Sequence, residues 1–254
     1  MARPGRSPRA DKIYGLHPLL EALASGKELE KVLIDKNLGS DRIRLLKEKC
    51  RRHDVPIQMV PKETLSRLAG SKHQGVLAFG SVIEYGRLEV LLPEIYEKGL
   101  DPFILILDGI TDVRNLGAIA RSAECAGIHA LVLPHKGSAQ VTADALNTSA
   151  GALASLPVCR SFNMRQTVQF LIDSGVTVIA ASEKGHTLYH QVDFARPTAL
   201  ILGSEDVGVS HTLLSMAQEH AKIPVYGQVG SLNVSVAAGI IIFEGLRQRS
   251  LKTT

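Results

Sequence analysis

The chain has 254 residues, 45% of them hydrophobic and 21% charged, ordinary values that exclude a fibre or a mainly disordered protein. Its longest apolar runs, such as Phe103 to Leu107 and Ala237 to Phe243, fall far short of the roughly 20 residues that span a bilayer. Charge is uneven: residues 1–80 hold 16 basic and 9 acidic residues, a net of +7, and the remainder carries a net of −3, so a polyanion would be drawn to the N-terminal third.

The opening MARPGRSPRADK lacks the apolar core of a secretory signal. It reads instead as a mobile basic arm over 1–11. Lys12 to Gly15 leads to a helix in which Pro18 suits the first turn, where its missing N–H has no partner to lose. Lys31 to Asp35 reads as a strand and Asp41 to Arg52 as a helix with Ile43, Leu45, Leu46 and Cys50 as its apolar positions. Pro56 to Val60 is a short strand, Lys62 to Leu68 a short helix, and Gly75 to Phe79 another strand. Residues 12–80 thus form an α/β unit of about 70 residues, small but able to fold. Residues 81–101 are more polar, with a weak helical pattern around Leu88 to Tyr96, and read as a linker.

From residue 102 the texture changes. Phe103 to Leu107 is a continuous apolar run, as in a strand buried on both faces. A helix follows over Leu116 to Cys125, then a strand over Ala130 to Leu133 and an Ala-rich helix over Thr142 to Ala152. Val176 to Ala181 and Thr198 to Leu202 are further apolar strands, and Leu232 to Arg249 is a final helix with a basic end. Alternating strands and helices predict a mostly parallel sheet covered on both faces over 102–254. Ligands of such sheets sit beyond the carboxyl ends of the strands.

Three polar clusters lie where strands stop. One is Asp108–Gly109 running into Arg114, Asn115 and Arg121. The second is Gly203 to Gly208, with Glu205. The third runs from Ile223 and Pro224 to Ser231, Leu232 and Asn233. Taken singly, each has a bland explanation. Asn115 or Ser231 could cap a helix, and Gly203 and Gly208 could serve a tight turn. Usual cofactor signatures fail: there is no GxGxxG and no GxxxxGK[ST], and no GxSxG elbow. His186 and His190 are four apart but have no third ligand pattern, so no metal is expected. Cys50, Cys125 and Cys159 are odd in number and form no CxxC, which points to a reducing, cytoplasmic setting. Trp is absent and aromatics are 4%, which argues against aromatic stacking as the main force in nucleic-acid binding.

The clusters, read as N-L-G-A-I-A-R (115–121), L-G-S-E-D-V-G (202–208) and I-P-V-Y-G-Q-V-G-S-L-N-V-S-V-A (223–237), resemble motifs 1, 2 and 3 of the SpoU/TrmH family of the SPOUT superfamily of RNA methyltransferases. I-Y-G-L-H-P (13–18) and H-Q-G-V (73–76) resemble that family's substrate-binding domain. The likeness is greatest to members that methylate a guanosine 2′-hydroxyl of 23S rRNA. It implies a catalytic sheet threaded as a trefoil knot, a homodimer with active sites near the interface, and S-adenosylmethionine as methyl donor. Composition and spacing reveal none of these. By the family pattern, backbone at Gly203, Ile223 and Leu232 holds the cofactor, and Arg121, Asn115, Glu205, Ser231 and Asn233 are the polar active-site residues.

The implied reaction needs no metal or redox step. A guanidinium stays protonated, so Arg121 suits an electrostatic role on phosphate and developing alkoxide better than a base's role. An RNA phosphate or water would then take the proton, while Glu205 would orient Arg121 or Asn115. Competing readings are a tRNA 2′-O-methyltransferase, a non-catalytic RNA- or ribosome-binding module with a relic pocket, and a dinucleotide oxidoreductase. The separate basic N-terminal domain favours rRNA over tRNA. The full set of polar candidates argues against the relic, and the missing GxGxxG against the oxidoreductase.

Overall fold

The structure is a computed structural model that describes residues 12–53 and 55–252; the basic arm expected over 1–11 lies outside them. The chain divides into two units, one ending at Glu84 and grouping residues 141–143 with it, the other comprising Tyr85–Gln140 and residues from Asp144 on.

In the first unit the elements are β1 (Lys12–Tyr14), α1 (Leu16–Ala24), β2 (Leu29–Asp35), α2 (Ser40–Arg52), β3 (Ile57–Val60), α3 (Lys62–Ala69) and β4 (Val76–Gly80). The sheet order is β1-β4-β2-β3. β4 runs antiparallel to both neighbours, and β2 pairs parallel with β3. The centre of β2, Val32 to Ile34, is apolar because both its faces are covered. Val32 and Ile34 pack with Leu19, Leu46 and Cys50, while Leu33 packs with Leu65 and Leu77. Leu45, expected on the apolar face of α2, is exposed.

The two N-terminal motifs meet in one turn. The Gly15 N–H donates to the Val76 carbonyl at 3.0 Å. A side chain on Gly15, whose φ is +87°, would sit 3.0 Å from the Gln74 carboxamide. His73 is buried; its Nδ1 accepts the Gly75 N–H at 2.9 Å, and its Nε2 lies 3.1 Å from Ser66 Oγ. Ser66 and the Gly75 N–H thus fix the ring from both sides.

The second unit contains α4 (Leu88–Glu97), β5 (Phe103–Asp108), α5 (Val113–Cys125), β6 (Ala130–Pro134), α6 (Ala143–Thr148), α7 (Ala152–Ser155) and β7 (Val158–Ser161). It continues with α8 (Met164–Asp173), β8 (Thr177–Ala181), β9 (Thr187–Leu188), β10 (Thr198–Gly203), α9 (His211–Met216), β11 (Glu219–Lys222) and α10 (Val234–Lys252). The seven strands lie in the order β7-β6-β5-β10-β8-β11-β9, and every pairing is parallel. This is the α/β fold with a mostly parallel sheet that the sequence predicts, behind a small α/β domain.

Helices cover both faces of that sheet. Ile104, Ile106, Val132, Val178 and Ile201 pack with Leu92 of α4, Leu171 of α8 and Leu213 of α9. On the other face Phe103 meets α10, where Gly245 permits the approach: a Cβ there would lie 2.7 Å from the Phe103 ring. The Arg249 guanidinium sits 4.6 Å from the centroid of the same ring and donates to the carbonyls of Asp101, Pro102, Phe194 and Arg196.

The structure adds four local features. The segment expected as a linker carries α4, whose Leu88, Leu92 and Ile95 are buried. The single helix expected over Thr142 to Ala152 is two, separated where Ala150 and Gly151 take positive φ. α10 is not buried all round: Ile241 and Ile242 lie in the protomer's own core, while Val236 and Phe243 are 51% and 48% exposed. His186 precedes β9 and His190 lies in the short 3-10 turn after it, so the two share no helix. Among the described residues no helix is long and apolar enough to cross a membrane.

Candidate active site

The carboxyl ends of β10, β8 and β11 open into a cleft of about 480 Å³, within the range of roughly 300–1,000 Å³ usual for small-molecule sites. Gly203, Ile223 and Leu232 all line it. Gly203 ends β10 against its own returning loop. A Cβ there would lie 1.9 Å from the Gly208 carbonyl carbon and 2.0 Å from the Val209 nitrogen, so backbone itself forbids any other residue. The loop is closed by the Gly208 N–H donating to the Ser204 carbonyl at 2.8 Å, with Gly208 at φ +73°. Asp108, at the end of β5, braces the next turn by accepting the Ser210 N–H at 2.7 Å.

At the mouth of the cleft three polar side chains converge from three segments. Asn233 Nδ2 donates to Asn115 Oδ1 at 3.1 Å and to Glu205 Oε1 at 2.5 Å. Its Oδ1 accepts from the Ser235 N–H at 3.0 Å and the Ser235 hydroxyl at 2.5 Å. These four partners fix the amide's orientation, because two are acceptors and two are donors. They also make Asn233 the N-cap of α10, and its carbonyl accepts from Val236 and Ala237.

The capping roles differ from those considered on sequence. Ser231 does not cap; it lines the cleft beside Leu232. Asn115 does not cap either, since α5 begins two residues earlier and Asp112 caps it by accepting the Arg114 N–H at 2.7 Å. That bond, and the Arg114 charge, hold the Asp112 carboxyl below the usual carboxylate range.

Arg121 stands apart. It lies six residues beyond Asn115, about 9 Å along α5 and a third of a turn around it. It is exposed and makes no ion pair or hydrogen bond to a described residue. Of the two partners expected for Glu205, Arg121 and Asn115, it bonds neither directly but meets Asn115 through their shared Asn233 amide. Ser182, Glu183 and Lys184, after β8, also line the cleft. They follow a strand that the sequence reveals, so their position at its carboxyl end was the available signal. Among the described residues, no group of three or more His, Cys, Asp or Glu could hold a metal.

Residues 102–243 match the SpoU rRNA Methylase family. The chain belongs to the SpoU rRNA methylase family. Residues 12–85 match a second family description, RNA 2′-O ribose methyltransferase substrate binding. A Bacillus subtilis protein assigned provisionally to the TrmH family of tRNA/rRNA methyltransferases is 32% identical over 244 residues, covering 96% of this chain and 98% of the relative. The crystal structure of an RNA 2′-O ribose methyltransferase is similar at TM-score 0.56 and 26% identity, covering 96% of this chain and 90% of the other. The SpoU methyltransferase AviRb from Streptomyces viridochromogenes, in complex with AdoMet, shares the fold at TM-score 0.60 and 24% identity, covering 94% of this chain and 90% of the other. This SpoU family member therefore joins a stretch that matches the substrate-binding description to one that matches the methylase family.

Proposed function

We propose that the chain transfers a methyl group from S-adenosylmethionine to a ribose 2′-hydroxyl of RNA, with a guanosine of 23S rRNA as its target. The observation that carries this reading is the Asn115–Asn233–Glu205 cluster at the mouth of a cleft whose wall at Gly203 tolerates no side chain. A cleft walled by backbone at Gly203, Ile223 and Leu232 fits an adenosine-bearing ligand, because backbone N–H and C=O groups can meet a base edge while Leu202, Val209 and Ile241 supply apolar walls. When bound, S-adenosylmethionine supplies an already activated sulfonium methyl.

The protein then has two tasks: to orient the ribose and to manage the hydroxyl proton. Asn115, Ser231 and Asn233 orient ribose and the methionine end of the cofactor. Glu205 holds Asn233 in place. Arg121, permanently charged, binds a substrate phosphate and stabilises the developing alkoxide, and an RNA phosphate or water takes the proton.

Arg121 is remote from its own trio and lies on an exposed part of α5, the helix packed against α10. The exposed apolar side chains of α10, Val236 and Phe243, with half-buried Ile240 between them, form a stripe at helical spacing. The same reading therefore includes a homodimer through α5 and α10, in which Arg121 serves the partner's cleft. The knotted threading implied by the resemblance, a cytoplasmic setting and RNA binding by the basic unit 12–80 belong to it as well.

The test is direct. The full chain should bind S-adenosylmethionine and not NAD, and should methylate ribosomal RNA. Mapping 2′-O-methyl sites on rRNA and tRNA from cells with and without the gene identifies the target. A missing site in tRNA alone would replace rRNA by tRNA as the substrate. Cofactor binding without any lost methyl site would favour the non-catalytic RNA-binding module.

A further inference from the structure

The second unit carries an unusual exposed ring at the same edge of the sheet as the active site. Phe162 follows β7 directly and is 68% exposed, in a chain with 4% aromatic residues. His135, which follows β6, lies under it, with ring centroids 4.4 Å apart and planes tilted by 33°. The two positions are tied by register. Pro134 pairs with Ser161, and the His135 N–H donates to the Ser161 carbonyl at 2.8 Å. The platform is thus built on strand ends, where the backbone is fixed, rather than on a free loop.

Its surroundings mix apolar side chains, Leu88, Val132 and Phe170, with polar ones. A cleft of about 340 Å³ opens beside the ring, lined by Arg160, Asn163, Gln166 and Thr167 among others. Arg160 is held over the Tyr85 ring at 4.0 Å and donates to its hydroxyl at 2.8 Å. Lys136 is exposed next to His135, and Arg165, three residues after Phe162 in the first turn of α8, is exposed too. Glu89 is the one acidic residue lining the cleft. An apolar ring flanked by cations, with carboxamides beside it, matches a nucleobase: a flat face to stack, edges to hydrogen-bond, and a phosphate alongside.

We propose that Phe162, backed by His135, is a stacking platform for an unpaired RNA base on the same strand as, and near, the nucleotide presented to the cleft. The proposal rests on the reading of the chain as an RNA 2′-O-methyltransferase. Three strand spacings separate β7 from β10 in the sheet, about 14 Å, so one strand of RNA can lie along the carboxyl edge from Phe162 to Glu205. Low aromatic content still makes charge the main source of affinity. A single ring adds register, by holding one base while the ribose is aligned.

The test uses the full chain with Phe162→Ala and Phe162→Tyr. Binding of single-stranded 12-mer oligoribonucleotides is measured by fluorescence anisotropy across a salt series, with S-adenosylmethionine affinity and mass by light scattering as controls. The alanine variant should bind the oligonucleotides on the order of tenfold more weakly, as loss of one base stack does. Its salt slope should be unchanged, because no phosphate contact is removed. The tyrosine variant should restore binding, and cofactor affinity and mass should match the wild type. Unchanged binding by the alanine variant, or no binding by the wild type, overturns the platform. A change of mass overturns it in favour of a contact between copies of the chain. Wild-type methyl transfer to rRNA tests the underlying reading separately, and the binding arm decides the platform whether or not transfer occurs.

Discussion

Asn233 and Asn115 lie 118 residues apart in the chain and are joined by a 3.1 Å hydrogen bond. The bond links the entrance of α10 to the first turn of α5, and Glu205 enters it from the loop after β10. One amide thus does two things: it caps a helix through its oxygen and holds Asn115 and Glu205 through its nitrogen.

These roles separate in two variants. Asn233→Asp keeps the capping oxygen but sets a carboxylate against Glu205 and the Asn115 oxygen. It should melt within a few degrees of the wild type and lose at least tenfold in methyl transfer. Asn233→Ala should lose both, with a stability cost of about 1 kcal/mol for the cap. An active aspartate variant in a radiolabel transfer assay would remove the trio from the mechanism.

Arg121→Ala should lower kcat by about 100-fold or more, on the order of 3 kcal/mol, with folding and S-adenosylmethionine affinity nearly intact. Arg121→Lys should also be poor, since an ammonium cannot reproduce the planar two-pronged contact to a phosphate. If Arg121 serves the partner's cleft, mixing inactive Arg121→Ala with inactive Asn233→Ala protein should restore part of the activity through mixed dimers. No recovery after exchange of subunits, checked by mass, would return Arg121 to its own protomer's site.

Gly203→Ala should fail at the cofactor step. Its methyl would overlap the Gly208 and Val209 backbone, and the loop could relieve that only by moving. Calorimetry should show S-adenosylmethionine affinity reduced at least tenfold, while RNA binding by the first unit persists. Wild-type cofactor affinity in this variant would show that the loop is not part of that site.

His129 makes stability sensitive to acid. Its Nδ1 accepts the Phe103 N–H at 3.0 Å, and burial, reinforced by the Arg249 charge, holds the imidazole below its usual range. The unfolded chain therefore takes up a proton at a higher pH than the folded one. The stability this group contributes is present above pH ~6.5 and is lost as pH falls toward the lowered folded value. Urea midpoints between pH 7.5 and 5.5 should fall more steeply for the wild type than for His129→Gln. Parallel slopes would exclude His129 as the cause.

The three thiols should differ in reactivity. Burial pushes Cys50 and Cys159 up to about 11, Cys159 further helped by Glu89, whereas Cys125 is exposed. Only thiolates react, so alkylation at pH 8 should modify one thiol quickly, and Cys125→Ser should abolish that phase. Two fast thiols would show that one of the buried sites opens.

Sequence patterning revealed elements whose burial is uniform and missed those whose burial is local. β5, β8 and β10 stand out because both of their faces are covered. β11, Glu219–Lys222, is polar at three of its four positions, so no hydrophobic pattern marks it, although it supplies one wall of the cleft. The break at Ala150 and Gly151 is a backbone event inside an Ala-rich stretch of high helix propensity. At the site, the motifs placed Gly203, Ile223 and Leu232 on what is one cleft. The cap at Asn233, and the separation of Arg121 from the trio, depend on helix phase and starting residue, which a motif does not encode.

The position of β10 constrains how the protein is made. It is inserted between β5, which precedes it by 95 residues in register, and β8. On the ribosome, β5–β7 can pair early, but β5 and β8 have no common partner until residue 203 has emerged. Until then the nascent sheet is a three-stranded fragment, β7-β6-β5, with an open parallel edge at β5, beside a β8 that has no partner, a state exposed to misassembly. Such long-range parallel pairing is slow. The strand that bears Gly203 is thus both the floor of the cleft and the last central piece laid, so a delay in its insertion would leave a nascent protein with neither a complete core nor a cofactor site.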